Sequence, residues 1–310
     1  MPASPAASPG AHPAGHDGPA GKPFRRVVVA YDGSASAEDA LSLALRLRDP
    51  AGGHLMLGCV LATRPWHRPG RSASAAAEDE AKAMLAEARV RIPAGIAVAV
   101  SVTASSSPAR GLTELAETDQ ADLIVVGSTK GAVPDGRIGL ARTAGRLLAG
   151  APCAVAVAPP GLRESDPFHH IGVAFDDSAE AAAALKAGYM IARDDGSAVT
   201  LLSALGDVVD PGRSDILHAR LAIQERLDAA AESAPPGVNP RTVFLRGAAG
   251  PKIAEASDGV VDLLICGSRS YGPLQRALLG SVSEELVARA RHPVLVIPRQ
   301  PENAPGGDPA

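Results

Sequence analysis

Aromatic residues are scarce in this sequence, since one Trp, three Tyr and four Phe make up only 3% of its 310 residues. Any buried core must therefore be aliphatic. Hydrophobic residues still reach 46% of the chain, and most of them are Ala, Val and Leu. This composition favours closely packed helices on a sheet of Val and Leu strands. At about 150 residues per domain, the length suggests two domains.

Cysteine is also rare. The three cysteines, Cys59, Cys153 and Cys266, each lie in or beside an apolar run, and none belongs to a CxxC pair. This pattern argues against a disulfide framework or a cysteine metal site and predicts plain core thiols in a reducing compartment.

An excess of charge and long apolar runs are missing as well. Thirty Lys and Arg face 34 Asp and Glu, and the net charge of -4 argues against nucleic acid or a polybasic membrane anchor as a partner. No run approaches the roughly 20 apolar residues of a membrane span, and the N-terminus lacks a signal-peptide pattern. We therefore expect a soluble, cytoplasmic protein whose partners are a small molecule and another protein.

Common catalytic motifs are absent too. The sequence has no GxxxxGK[ST], GxGxxG, HExxH or GxSxG motif, so we assign no catalytic residue and no metal site and expect no enzyme. Slow ATP hydrolysis or self-phosphorylation stays open at this stage.

An internal repeat is the strongest signal in the sequence. Three segments recur in the same order at offsets of 140 to 144 residues: 26–34 with 170–178, 121–128 with 261–268, and 151–157 with 292–297. Such self-similarity indicates two copies of one structural unit.

Within each copy, short apolar runs alternate with helical periods, which is typical of a parallel sheet with crossover helices. The predicted strands of the first copy are 26–31, 54–61, 96–103, 123–126 and 153–157. Those of the second copy are 171–175, 199–204, 239–245, 263–266 and 294–297. We predict two tandem doubly wound, Rossmann-like α/β domains, each a five-stranded mainly parallel sheet with helices on both faces.

The predicted domains span residues 24–160 and 168–299, with a Pro- and Gly-containing linker at 161–167. The tails 1–23 and 300–310 lack apolar periodicity, and we expect them to be disordered. Ser36 with Asp39 predicts a capping-box start for the first helix, and 180–193 is its counterpart in the second copy.

The first strand of each copy ends in a carboxylate, Asp32 or Asp176. In doubly wound sheets ligands bind beyond the carboxyl ends of the strands, so these side chains could accept hydrogen bonds from ribose hydroxyls. The alternative has equal weight: each Asp, followed by Ser34 or Ser178, caps a turn or a helix start.

Strand 4 of the second copy runs into a glycine- and serine-rich segment that begins at Gly267, and Gly280-Ser281 then opens a helix. Close backbone approach, free N–H groups and the helix dipole suit a phosphate here. The segment Ser281-Val282-Ser283-Glu284 also fits a capping box that needs no ligand.

These motifs together resemble the universal stress protein family. Its nucleotide-binding members carry Gly, two residues, Gly, nine residues, then Gly with Ser or Thr after the fourth strand. The second copy departs only at the second glycine, where it has Ser270. The resemblance covers both copies and implies that Asp176 is the acidic residue after strand 1 and that Ala204 lies on the adenine side.

The first copy departs further from the family pattern, because Lys130 replaces the second glycine and Leu140 replaces the final hydroxyl. We therefore expect a stronger site in the second copy, at Asp176, Ala204, Cys266, Gly267, Ser270, Gly280, Ser281, Val282 and Ser283. The weaker first site is expected at Asp32, Val60, Val126, Gly127 and Gly139.

The resemblance implies a stress-response regulatory protein that binds ATP or another adenosine nucleotide, with or without Mg²⁺, and signals to a protein partner. It also implies pairing of the two last strands, so that one chain imitates a dimer; a further homodimer is left open. The alternative is a nucleotide-free interaction or scaffold module of the same fold, which Lys130, Leu140 and Ser270 favour.

Overall fold

The computed structural model describes residues 21–62, 71–128, 142–162, 166–206, 213–268 and 281–298. The predicted tails lie almost wholly outside these ranges, as do residues 129–141 and 269–280, which follow the fourth strand of each half. Only backbone is described for 62, 71–74, 213–216 and 281.

Strands and helices alternate in each half. The first half contains β1 (Arg26–Ala30), α1 (Ala35–Leu47), β2 (His54–Ala62), α2 (Arg71–Arg91), β3 (Val98–Ser105), α3 (Pro108–Thr118), β4 (Leu123–Gly127), α4 (Arg142–Leu148) and β5 (Ala154–Ala158). The second contains β6 (His170–Ala174), α5 (Ala179–Asp195), β7 (Ala198–Leu205), α6 (Arg213–Glu232), β8 (Arg241–Arg246), α7 (Ala249–Ser257), β9 (Leu263–Gly267), α8 (Ser281–Arg289) and β10 (Val294–Ile297).

All ten predicted strands are present, with small shifts at their ends. β3 begins at Val98, two residues later than predicted, because Gly95 has a φ of 96° and the Ile96 N–H turns back to the Pro93 carbonyl. β8 begins at Arg241 because the preceding Pro240 has no N–H for a sheet hydrogen bond.

The ten strands form one sheet in the order β3-β2-β1-β4-β5-β10-β9-β6-β7-β8. Neighbouring described strands are parallel except β5 and β10, which pair antiparallel with Leu295 opposite Ala156. The expected pairing of the two last strands is thus observed, and it joins two doubly wound halves. In each half the strand order reverses between the first and fourth strands.

The helices cover both faces of the sheet, as the doubly wound fold predicts. One core layer joins α1, α2, α5 and α6 to residues such as Val27 and Val173. The other joins α3, α4, α7 and α8 to residues such as Val28 and Leu264. Each layer includes buried residues from both halves, so the cores continue across the β5–β10 junction.

A buried charged cluster also holds the halves together. Lys22, ahead of β1, lies 2.7 Å from the Asp195 carboxylate at the end of α5, and their side chains are 6% and 4% exposed. The Lys22 ammonium donates to the Arg46 carbonyl at 2.6 Å. The Arg46 guanidinium in turn lies 3.9 Å from the centre of the Phe168 ring.

The predicted capping box of the first helix is wrong. α1 begins at Ala35, and the Ser34 hydroxyl caps it by accepting from the Ala37 N–H at 3.3 Å. Ser36 instead donates from its hydroxyl to the Ser128 carbonyl, and the buried Asp39 carboxylate accepts from the Gly161 N–H at 3.1 Å. Both side chains are therefore engaged by distant segments rather than by the helix start.

The second copy has the same serine cap, and its first helix extends two residues past the predicted end at 193. Ser178 caps α5 by accepting from the Ala181 N–H at 3.1 Å, so the helix begins one residue before the predicted 180. It ends at Asp195, where Gly196 adopts a left-handed φ of 71°.

Candidate functional site

Each half has a cavity at the carboxyl ends of its strands, beside the point where the strand order reverses. The cavity of the second half, hereafter the second cavity, has a volume of about 140 Å³. The cavity of the first half, hereafter the first cavity, has a volume of about 290 Å³. Open α/β sheets bind their ligands at this position.

Most residues predicted for the second site line the second cavity. The structure brings together Asp176, Ala204, Cys266, Gly267, Val282 and Ser283. Ser270 and Gly280 lie outside the described residues, and α8 begins at Ser281, whose side chain is not described.

The Asp176 carboxylate makes the turn contacts that the alternative interpretation, a turn or helix cap, predicts. One oxygen, Oδ1, accepts from the Ser178 N–H at 3.2 Å and from the Ser178 hydroxyl at 2.6 Å. The side chain is nevertheless exposed and lines the cavity. Next to it, Asp177 has a φ of 64° where the first half has Gly33 at 74°, so a non-glycine residue adopts the left-handed conformation in this turn.

Gly267 is required for helix packing, a role that the loop pattern did not indicate. A Cβ at this position would lie 2.6 Å from the Glu180 carbonyl carbon, because α5 crosses the end of β9 there. In the first half, a Cβ on Gly127 would overlap the backbone of Ser36 in the same way. The two glycines thus set the distance between the first helix of each half and its fourth strand.

Two hydroxyls of the second cavity differ in how they are satisfied. Ser283 donates to the Gly267 carbonyl at 2.9 Å. The Ser268 hydroxyl belongs to a residue that is 1% exposed, and it has no hydrogen-bond partner among the residues that the structure describes. A buried polar group in this state is usually satisfied by water or by a ligand.

Cys266 contributes a neutral thiol to the cavity wall. Burial raises the pKa of the Cys266 thiol to about 12, so it stays protonated near neutral pH. A thiol in this state is a poor nucleophile and a poor metal ligand. Its side chain acts as an apolar wall, in agreement with the core thiol that the sequence predicts.

The first cavity gathers Asp32, Val60, Val126 and Gly127 from the predicted weaker site, whereas Gly139 lies outside the described residues. Asp32 accepts from the Ser34 N–H at 3.1 Å, the same turn contact that Asp176 makes. The two halves therefore place corresponding residues at corresponding positions.

A polar triad reaches the first cavity through Tyr31, which lines it. The Tyr31 hydroxyl donates to the Glu38 carboxylate and accepts from Arg91 at 2.6 Å, and Arg91 also contacts Glu38 at 2.8 Å. Burial and the Glu38 carboxylate raise the pKa of Tyr31 to about 12. The corresponding residue of the second half is Phe175, which has no hydroxyl.

The sequence motifs do not identify several lining residues, most of which lie far along the chain from the segment that follows the fourth strand. In the second cavity these include Ser203, Ala249, Ile253 and Glu180. In the first they include Ser36, Pro108, Leu112 and Thr143. Ser268 and Ser128 had a readable signal, because each directly follows the repeated strand that ends in Gly267 or Gly127.

A sequence model described as the universal stress protein family matches the chain twice, at residues 23–159 and 167–298. This chain belongs to the universal stress protein family. The double match and the two halves of the sheet make it a tandem member of that family. No curated protein sequence matches the chain.

Solved structures of other family members share the tandem fold. A universal stress protein from Archaeoglobus fulgidus DSM 4304 is 18% identical, with a TM-score of 0.65 over 90% of this chain and 97% of its own. A putative universal stress protein from Pseudomonas aeruginosa UCBPP-PA14 is 18% identical, with a TM-score of 0.60 over 89% of this chain and 93% of its own. At this identity the similarity shows the fold alone.

A universal stress protein solved in complex with cAMP also matches, at 21% identity and a TM-score of 0.33, over 44% of this chain and 100% of its own.

Two features are absent from the residues that the structure describes. In the described part of the chain, no helix is both long and apolar enough to cross a membrane. Within the same residues, His, Cys, Asp and Glu side chains form no group of three or more that could hold a metal ion.

Proposed function

We propose that this universal stress protein is a stress-response regulatory protein that binds ATP or another adenosine nucleotide in its second half. The observation that carries the proposal is the meeting of six predicted residues on one cavity where the strand order reverses. In this proposal Asp176 accepts hydrogen bonds from the ribose hydroxyls, and Ala204 lies against the adenine. Cys266 and Gly267 form the floor between them.

The phosphates of the nucleotide are proposed to lie at the N-terminus of α8. The first N–H groups of that helix and its dipole favour an anion, and Val282 and Ser283 of its first turn line the cavity. The Ser268 hydroxyl supports a polar ligand there, because it is buried without a partner among the described residues. Mg²⁺ would be held chiefly by the phosphates themselves, as is usual for this ion.

Occupancy of the cavity is proposed to be the signal that a protein partner in the cytoplasm detects. In this proposal the chain's residues bind the ligand, and none of them is assigned a catalytic role. Regulation by a bound nucleotide needs only that one state of the protein, loaded or empty, is recognised by the partner.

The first test is to denature the purified protein and analyse the released small molecules by chromatography. We expect an adenosine nucleotide, or, if the protein is purified empty, an increase in melting temperature when the nucleotide is added. A ligand present at about 100 times its Kd stabilises the folded state by about 2.7 kcal/mol.

A matched pair of substitutions assigns the binding to one half. Ala204 and Val60 occupy corresponding positions near the ends of β7 and β2 and line the two cavities. Filling the second cavity with Ala204→Trp should remove the nucleotide-dependent stabilisation, while Val60→Trp should leave most of it. If no nucleotide is released and no thermal shift occurs, the ligand-free scaffold is favoured instead.

A further inference from the structure

Glu180 of the second half occupies the position that Ser36 has in the first. Each is the second residue of its helix, directly after the residue that follows the capping serine. Each also lies where the helix crosses the glycine at the end of the fourth strand, Gly127 or Gly267. The two positions are therefore equivalent, but one carries a hydroxyl and the other a carboxylate.

This difference changes the charge of the cavity walls. The second cavity is lined by two carboxylates, Asp176 and Glu180, and its described lining residues include no Lys, Arg or His. The described lining of the first cavity contains one carboxylate, Asp32, with the hydroxyls of Tyr31, Ser34, Ser36, Ser128 and Thr143. Charges at a partly enclosed wall interact more strongly than in bulk water, because screening is weaker there.

The second cavity is also the smaller of the two, at about 140 Å³ against about 290 Å³. Drug-sized ligand pockets are typically about 300 Å³ or more. The small volume of the second cavity and its two carboxylates therefore both favour a ligand with few phosphate groups.

We propose that Glu180 determines the ligand's charge class in the second cavity, favouring adenosine and its less phosphorylated derivatives over free triphosphate. This inference rests on the proposed function, because it assumes an adenosine compound in that cavity. Glu180 lies against Gly267 and lines the same cavity as Val282 and Ser283 of the proposed phosphate position, so each added phosphate charge meets a second carboxylate in that cavity. In the first cavity Ser36 imposes no such repulsion.

Glu180 also has a simpler role, as an acidic residue in the first turn of α5, where it complements the helix dipole. That role affects only the stability of the folded chain. A role in ligand choice affects the ratio between the affinities for charged and uncharged ligands, so the two roles have different readouts.

The experiment compares adenosine, AMP and ATP by isothermal titration calorimetry on the full chain, with a chelator present to remove Mg²⁺. Binding that Ala204→Trp abolishes belongs to the second cavity. For that component we expect wild-type affinity to fall from adenosine to ATP. In Glu180→Gln the adenosine-to-ATP ratio should shrink about tenfold, the effect of removing one nearby like charge, with adenosine affinity little changed.

The matched control is Asp194→Asn, which removes the same charge from an exposed position at the far end of α5. It should leave the ratio at the wild-type value, and the Glu180→Gln effect should weaken at high salt. Equal changes for all three ligands, or an unchanged ratio, would overturn the inference while leaving the proposed function intact. If wild type and Glu180→Gln bind none of the three ligands, the proposed function fails and the inference with it.

Discussion

The contact between Gly267 and Glu180 joins residues that lie almost a third of the chain apart. Its consequence for stability can be tested directly. In Gly267→Ala the new Cβ would lie 2.6 Å from the Glu180 carbonyl carbon, and α5 would have to move away from β9. We expect a loss of about 2–3 kcal/mol in the free energy of unfolding, measured by urea denaturation.

Gly206 provides the matched control in the same half, because a Cβ there would have no atom within 4 Å. Gly206→Ala should stay within about 0.5 kcal/mol of wild type. Equal losses in the two variants would mean that α5 and β9 are not in close contact.

At this scale the sequence predicts which residues line the candidate site only where a local motif names them. Asp176 and Gly267 were found because they directly follow repeated strands. Glu180 was missed because its partner is distant in sequence and a Glu in a first helical turn has an ordinary explanation. Ser36 was misassigned because Ser34, two residues earlier, is an equally good cap.

At the scale of elements, His292 connects the end of α7 with the start of β10. Its Nε2 lies 2.9 Å from the Ser257 hydroxyl and its Nδ1 3.3 Å from the Pro293 carbonyl oxygen. Burial lowers the pKa of the His292 imidazole, although the Pro293 carbonyl and the Asp258 and Asp262 carboxylates act in the opposite direction. The neutral ring is therefore the form that the fold favours.

This preference for the neutral ring makes the contact between α7 and β10 sensitive to acid. The unfolded chain takes up a proton near the ordinary His pKa of about 6.5, whereas the folded chain does so only at a lower pH. The stability that the neutral ring contributes is fully present above the unfolded pKa of about 6.5 and is lost as the pH falls toward the lower pKa of the folded chain. The advantage of wild type over His292→Gln should shrink between about pH 7.5 and about pH 5.5 in denaturant melts. A constant difference would contradict this expectation.

Strands were predicted well because runs of Val, Leu and Ile between turn residues leave few alternatives in a parallel sheet. Their ends shifted where Gly95 and Pro240 impose local geometry. Helix starts were less certain, because several Ser and Asp residues near each start compete as caps and the choice depends on contacts such as Asp39 with Gly161.

At the scale of the whole molecule, the pair Lys22 and Asp195 connects the two halves inside a buried environment. Lys22→Met would leave the Asp195 carboxylate buried without its nearest cation, at a cost of about 3–5 kcal/mol in the free energy of unfolding. Adding Asp195→Asn should recover part of this loss, since the amide oxygen can still accept from the Phe168 N–H. Thermal and chemical denaturation of the three proteins would measure the effect.

The exposed pair Lys252 and Glu255, at 2.7 Å, is the control for this prediction. Lys252→Met should change the free energy of unfolding by less than about 1 kcal/mol, because solvent screens surface pairs. If Lys22→Met lowered the free energy of unfolding equally little, the two halves would not depend on the buried Lys22 cluster for their association.

The antiparallel pairing of β5 with β10 has a consequence for how the two cavities can change. In a homodimer one gene specifies both binding sites, so every substitution appears in both at once. Here the two copies are covalently joined in a single chain, and each can vary while its mate stays the same. A carboxylate at position 180 and a hydroxyl at the equivalent position 36 form a combination that two identical subunits could not have.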